Sequence, residues 1–168
     1  VTPHAVSYYQ GLMGGATPGL DHYWREVSYD LINVTGSSVV GWYNLPQPRS
    51  AYFTVQNGQS VANLNLLSQD CTQAADAAVS FPAFIGVNLV FNQDLDCCAW
   101  GGGRTLTLDG QTRSYRMTWL PPWGQTSFVF AHEMGHAVFD LLDVPVLGRP
   151  EDAADQFATY IMLQLGKE

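Results

Sequence analysis

Two histidines stand four residues apart with a glutamate directly after the first, in the run His132-Glu133-Met134-Gly135-His136. On a helix, residues at that spacing share a face, so both imidazoles reach one metal ion. Zinc suits two such nitrogens, with bonds of roughly 2.0–2.1 Å. Glu133 is turned about 100° from His132, which sets its carboxylate beside the ion without making it a ligand. A carboxylate there holds and deprotonates a water that the metal has acidified, which is general-base chemistry. The bland alternative is an ordinary helix carrying the pattern by chance. With only four histidines in the chain, two at this spacing around a glutamate argue against it.

The elements that must position these groups follow from periodicity. Residues 125–142 read as one helix, with Phe128, Val129, Phe130 and Ala131 as its apolar back, and residues 151–165 as another, ended by Gly166. Upstream, residues 3–13 read as a short helix and Pro18 opens a second. Residues 39–43 and 51–55 read as strands, and 60–79 as a helix with Val61, Leu64, Leu67, Cys71 and Ala75 on one face. Residues 84–91 suit a buried strand, and 104–108 and 114–120 form a hairpin around Asp109-Gly110-Gln111. The fold class is α+β: a mixed sheet, a backing helix, then two C-terminal helices. No repeat or linker divides the chain, so residues 1–168 are expected to form one catalytic domain.

A catalytic zinc site takes three protein ligands and a water, so a third ligand is needed. Glu151-Asp152-Ala153-Ala154-Asp155 resembles the Glu-x-x-Ala/Ser-Asp element of the gluzincin metallopeptidases. That resemblance implies Glu151 as third ligand and Asp155 as hydrogen-bond partner of His132. Independently, positions 151 and 155 share a helix face, and a carboxylate behind a ligating imidazole fixes its tautomer. The apolar neighbours Ala154, Phe157, Ala158 and Ile161 suggest that Asp155 faces inward. The competing reading makes Glu151 and Asp152 ordinary acids of a helix's first turn. A second route to a third ligand is Cys97 or Cys98, since peptide deformylases pair an upstream cysteine with such a helix. The surroundings Asp96-Cys97-Cys98-Ala99-Trp100 do not match that family.

Two wider resemblances coexist. Residues 1–137 resemble secreted metzincin-type peptidases of the immune inhibitor A group, through Pro18-Gly19-Leu20-Asp21-His22-Tyr23-Trp24-Arg25-Glu26-Val27-Ser28-Tyr29, Gly41-Trp42-Tyr43 and Ala99-Trp100-Gly101-Gly102. Residues 132–168 resemble a small bacterial family of gluzincin-like metallopeptidases, through Pro145-Val146-Leu147-Gly148-Arg149 and Glu151–Gln156. The metzincin completion is absent: Phe139 and Leu142 stand where that family has glycine and histidine, and Met162 lies within a helix. These resemblances imply a zincin-like fold and zinc-dependent hydrolysis of peptide bonds. Trp100, Gly101 and Gly102 are candidates for the substrate cleft, the glycines allowing close backbone approach. Tyr160 and Tyr115 are candidate donors to the developing oxyanion, although a core or surface tyrosine is the commoner role.

The formal net charge of −8, with one lysine and no basic patch, argues against nucleic acid and anionic membranes as partners. Few charges, five tryptophans and a first residue other than methionine fit a processed, secreted protein. A monomer acting on peptide or protein substrate is expected. Of the three cysteines, Cys71 is expected to pair with Cys97 or Cys98, which needs an oxidising compartment. Asn92, Asp94 and Asp96 are a candidate Ca2+ loop, against the commoner acidic surface loop. The rival functions are a zinc-binding module without turnover and a zinc hydrolase of another amide or ester. A poised Glu133 speaks for an open, catalytic site.

Overall fold

The computed structural model describes residues 4–15, 19–122, 127–141, 143, 145–146 and 148–165. The helix start at Pro18, the stop at Gly166 and the side chains of residues 127–130 lie outside the described part. Contacts divide the chain into two compact units, Thr2–Trp42 and Tyr43–Glu168.

The first unit carries two helices, α1 (Val6–Leu12) and α2 (Leu20–Val27). The buried Asp21 organises it: one carboxylate oxygen accepts from the Arg25 guanidinium at 2.8 Å. The other accepts from Val34 N–H at 2.8 Å and the Thr35 hydroxyl at 3.1 Å. These bonds hold the Asp21 carboxyl below the usual carboxylate range, the Arg25 hydrogen bond first among the causes. The strand expected at 39–43 does not form. No neighbour within the unit offers it a ladder, and Val40 and Trp42 stay exposed.

The second unit holds all the strands among the described residues. A two-stranded hairpin of β1 (Phe53–Gln56) and β2 (Gln59–Ala62) precedes helix α3 (Leu64–Ala75). Residues 60–62, expected as the start of the helix, lie in β2 instead: Asn57 and Gly58 take φ of +50° and +77° and fold the chain back as a tight turn. Helix α3 starts only at Asn63, whose side-chain oxygen accepts Leu66 N–H at 3.1 Å. The main sheet has the order β3-β5-β4, from β3 (Gly86–Val90), β4 (Trp100–Leu108) and β5 (Gln111–Leu120). Strand β3 runs parallel to β5 and β4 antiparallel to it, so the sheet is mixed, as expected for an α+β chain. Asp109 and Gly110, at φ +50° and +72°, make the β4–β5 turn.

Alternation along β5 separates two faces. Tyr115, Met117 and Trp119 point into the core beneath α3, with Leu67, Phe81 and Leu89. There Trp119 Nε1 donates to Ser68 Oγ at 3.2 Å. Arg116, Thr118 and Leu120 point the other way, toward helix α4 (Ser127–Leu141), which Arg116 grips through Asp140. Helix α5 (Pro150–Leu165) follows.

The expected Cys71 disulfide is corrected. Cys97 and Cys98 are bonded to each other and Cys71 is free. Cys71 lies half-buried on α3 among core side chains, where burial pushes its thiol up to about 12, helped by the charge of Asp70. It should therefore alkylate slowly in the native protein at about pH 8 and quickly in denaturant, giving one reactive thiol per unreduced chain. Equal rates in both would contradict this placement.

Of the Ca2+ candidates, Asp94 and Asp96 have partners within the protein. Asp96 takes the Ser60 hydroxyl and the Arg49 guanidinium, which together hold its carboxyl below the usual range. Its own N–H donates to Asp94 Oδ1 at 3.1 Å. A folded carboxyl below its unfolded value, about 3.9, stabilises fully above that value and loses its contribution as pH falls through the lower, folded one. Asp96→Asn should lower the thermal midpoint near neutrality and flatten its fall below about pH 4 relative to wild type. Parallel acid limbs in the two proteins would contradict the assignment.

Candidate functional site

Helix α4 delivers the three motif side chains because residues 132 and 136 lie on one of its faces. His132 and His136 are partly buried and Glu133 is 8% exposed. Helix α5 delivers the rest. Its start is prepared by Pro150, whose fixed φ suits the first helical position, and by Arg149, which forks onto Asp152 at 2.9 and 2.8 Å. That fork ties Asp152 to Arg149 and leaves Glu151 to turn toward the histidines.

The two helices approach closely where their residues are small. Ala131, Ala154 and Ala158 are sealed from solvent. A Cβ added at Gly135 would lie 2.9 Å from the Phe157 ring and 3.4 Å from Ala154 Cα. The glycine inside His132-Glu133-Met134-Gly135-His136 is thus the seat of α5. Phe139 and Phe157 then meet edge to face, 5.8 Å apart.

This packing brings three ligating atoms together. His132 Nε2 is 3.2 Å from His136 Nε2 and 3.2 Å from Glu151 Oε2, and His136 Nε2 is 3.3 Å from the same oxygen. Donors around a tetrahedral ion with bonds of roughly 2.0–2.1 Å lie about 3.3–3.4 Å apart, so the donor set fits such an ion. On the far side of the ring, His132 Nδ1–H donates to Asp155 Oδ1 at 2.8 Å. That bond places the ring's proton on Nδ1 and leaves the Nε2 lone pair facing Glu151 and His136. Among the described residues, His132, His136 and Glu151 are the group whose atoms converge for a metal. Cys97 and Cys98, spent on each other, are not in it.

One part of the sequence argument is corrected. Asp155 was expected to be buried, but its side chain is 60% exposed and that of Glu151 70% exposed. The inward residues of α5 are Ala154 and Ala158, and the acids sit on the adjoining, solvent-facing side. The contact with His132 is made across the rim of the helix pair.

Glu133 stands apart from this cluster. Burial pushes its carboxyl above the usual glutamate range, with Glu151 adding and His132 and His136 opposing. Among the described residues no hydrogen-bond donor meets its carboxylate. Beside it runs β4, at Gly101, where an added Cβ would stand 2.5 Å from Glu133 Oε2. Of the three cleft candidates, Gly101 alone faces the site. Trp100 lies opposite Trp119 in the ladder and packs on the core face, and Gly102 is opposite Met117 on that same face. Sequence reasoning had grouped all three, and only the strand register separates them.

Neither candidate tyrosine is brought to the motif. Tyr115 points into the core, sealed, on the face opposite α4. Tyr160 is half-exposed on α5, five residues beyond Asp155 and so roughly 140° around the helix from it.

Residues 119–168 match the model of a family described as “Putative metallopeptidase”. No curated protein and no solved structure matches the chain. The matched segment spans α4 and α5, and with them His132, Glu133, His136, Glu151 and Asp155.

If Gly135 seats α5, Gly135→Ala should cost about 1–3 kcal/mol of stability, as overpacking does, and weaken divalent-metal binding through displacement of Glu151. Asp155→Ala should leave the fold in place and lower metal affinity roughly 10–100-fold, the usual loss for a group behind a ligating imidazole. Calorimetric titration of metal into the apo-protein reads both. Unchanged affinity in either variant would break the corresponding link.

Proposed function

We propose that this chain is a zinc-dependent endopeptidase of zincin type, holding its metal with His132, His136 and Glu151 and using Glu133 as general base. The observation that carries the reading is the convergence of two imidazole nitrogens and a carboxylate oxygen at 3.2–3.3 Å beside a buried carboxylate that has no hydrogen-bond donor among the described residues. The family match over residues 119–168 supports it from a separate direction.

Zinc in that position would supply an acidified water as nucleophile and polarise the scissile carbonyl. The chain's own groups do the rest. Asp155 holds the proton on His132 Nδ1, so that Nε2 always presents a lone pair. Glu133, desolvated and at hand, accepts the proton of the attacking water and returns it to the departing amine. Burial favours the protonated form of its carboxyl, which suits a group that must both take and give a proton.

An extended peptide would lie along β4, the edge strand of the sheet, pairing with its free backbone groups. The Cys97–Cys98 bond supports an oxidising, extracellular setting for this activity. A non-catalytic zinc module would have no use for a buried Glu133 that meets no donor among the described residues, and a fourth protein ligand would be expected in its place.

Casein cleavage and metal content, measured for wild type and Glu133→Gln, test this. We expect about one zinc per chain in both proteins and a loss of turnover on the order of a thousandfold or more in the variant. Equal cleavage by the two proteins would remove Glu133 from the mechanism. Zinc without cleavage in either would leave a binding module.

A further inference from the structure

At Gly101 strand β4 passes the proposed base. Two observations make that contact unusual. The added Cβ would stand 2.5 Å from Glu133 Oε2, far inside ordinary van der Waals contact, and the next atom of that side chain, the carboxyl carbon, is 3.7 Å away. Gly101 has no positive φ to require a glycine, and no other described residue comes within 4 Å of the position. Among the described residues, what excludes a side chain there is the carboxylate. Gly103, two residues along on the same face of β4, has nothing closer than 3.8 Å.

We propose that Gly101 is a positioning residue: the bare backbone of β4 at this point fixes where the Glu133 carboxylate rests. The inference rests on Glu133 being the base. The obstructed atom is the free end of a flexible side chain, so an alanine at 101 is accommodated by moving the carboxylate, not by unfolding the sheet. The move required is about 1 Å, the gap between 2.5 Å and ordinary contact at 3.4 Å. A misplacement of that size at a reacting group costs up to roughly a hundredfold in rate. His132, His136 and Glu151 do not touch Gly101, so metal binding is left intact.

The test needs a readout of the carboxylate itself. The chain has four glutamates, Glu26, Glu133, Glu151 and Glu168, so protein labelled with 13C at the glutamate carboxyl gives four signals, Glu133 being assigned by its loss in Glu133→Gln. In Gly101→Ala we expect the Glu133 signal to move while the other three hold, with the thermal midpoint within a few degrees of wild type. Gly103→Ala should leave the Glu133 signal where it is. On casein, kcat should fall on the order of tenfold to a hundredfold with KM changed less than about twofold. Zinc affinity should stay within about threefold.

A Glu133 signal unmoved by Gly101→Ala would overturn the proposal whether or not the protein proves to be a peptidase. Activity surviving in Glu133→Gln would instead overturn the functional reading and leave the carboxyl signal to decide the contact. Should Gly101→Ala lose its fold, pairing it with Glu133→Ala decides the cause. Recovery assigns the clash to the carboxylate, and continued loss assigns Gly101 to backbone packing and ends the argument.

Discussion

The Asp155 bond leaves His132 Nε2 with its lone pair, and this atom, His136 Nε2 and a carboxylate oxygen stand within 3.3 Å of one another, where they repel unless a proton or a cation lies among them. Most of the C-terminal architecture can be understood as the means of holding that unfavourable trio together. Alanines 131, 154 and 158 let the two helices close, Gly135 lets Phe157 seat, and Asp155 fixes the ring of His132. Glu151 is largely open to water, which screens its share of the repulsion. Packing and a cation are therefore complementary terms: the helices gather the ligands, and an ion bound there would hold the helices.

The sheet contributes through its asymmetry. One face of β5 carries Tyr115, Met117 and Trp119 into a dense core against α3, and that face gives the unit its stability. The opposite face supports α4 with sparser means: the Arg116–Asp140 ion pair and, on β4, the glycines 101 and 103. The sparseness leaves Glu133 buried beside bare backbone, with no donor to its carboxylate among the described residues. A carboxylate in such surroundings keeps its proton more readily than one in water, and the burial that causes this costs stability that the core face must offset.

The parts of the site that were legible in the sequence are those whose geometry is local. Helical periodicity alone places His132 beside His136 and Glu151 in line with Asp155, because a turn of helix is a fixed ruler. Asp155's exposure escaped it, since apolar neighbours at one and two residues' remove belong to a different face. Gly101 could not be singled out from Trp100 and Gly102 without knowing that Trp100 lies opposite Trp119, and a ladder register is not written in either strand. The β1–β2 hairpin is a different case. Asn57-Gly58 is a strong hairpin signal, and the apolar spacing of residues 61–78 obscured it. The cysteine pairing is not legible either, because count and spacing do not distinguish a bond between neighbours 97 and 98 from one to Cys71.

The proposed ligands His132, His136 and Glu151 all fall within twenty residues of chain, in two consecutive helices, whereas the contact proposed to set the base reaches back from Glu133 to Gly101, thirty-two residues earlier. A helical hairpin closes a short loop and forms early in folding, while the strand contact must wait for a sheet of mixed parallel and antiparallel pairs. Gathering the proposed ligands and placing the proposed base therefore draw on different parts of the chain: the family match over residues 119–168 covers both helices and leaves out β4. What β4 would decide is not whether an ion is held but how the carboxylate beside it is aimed.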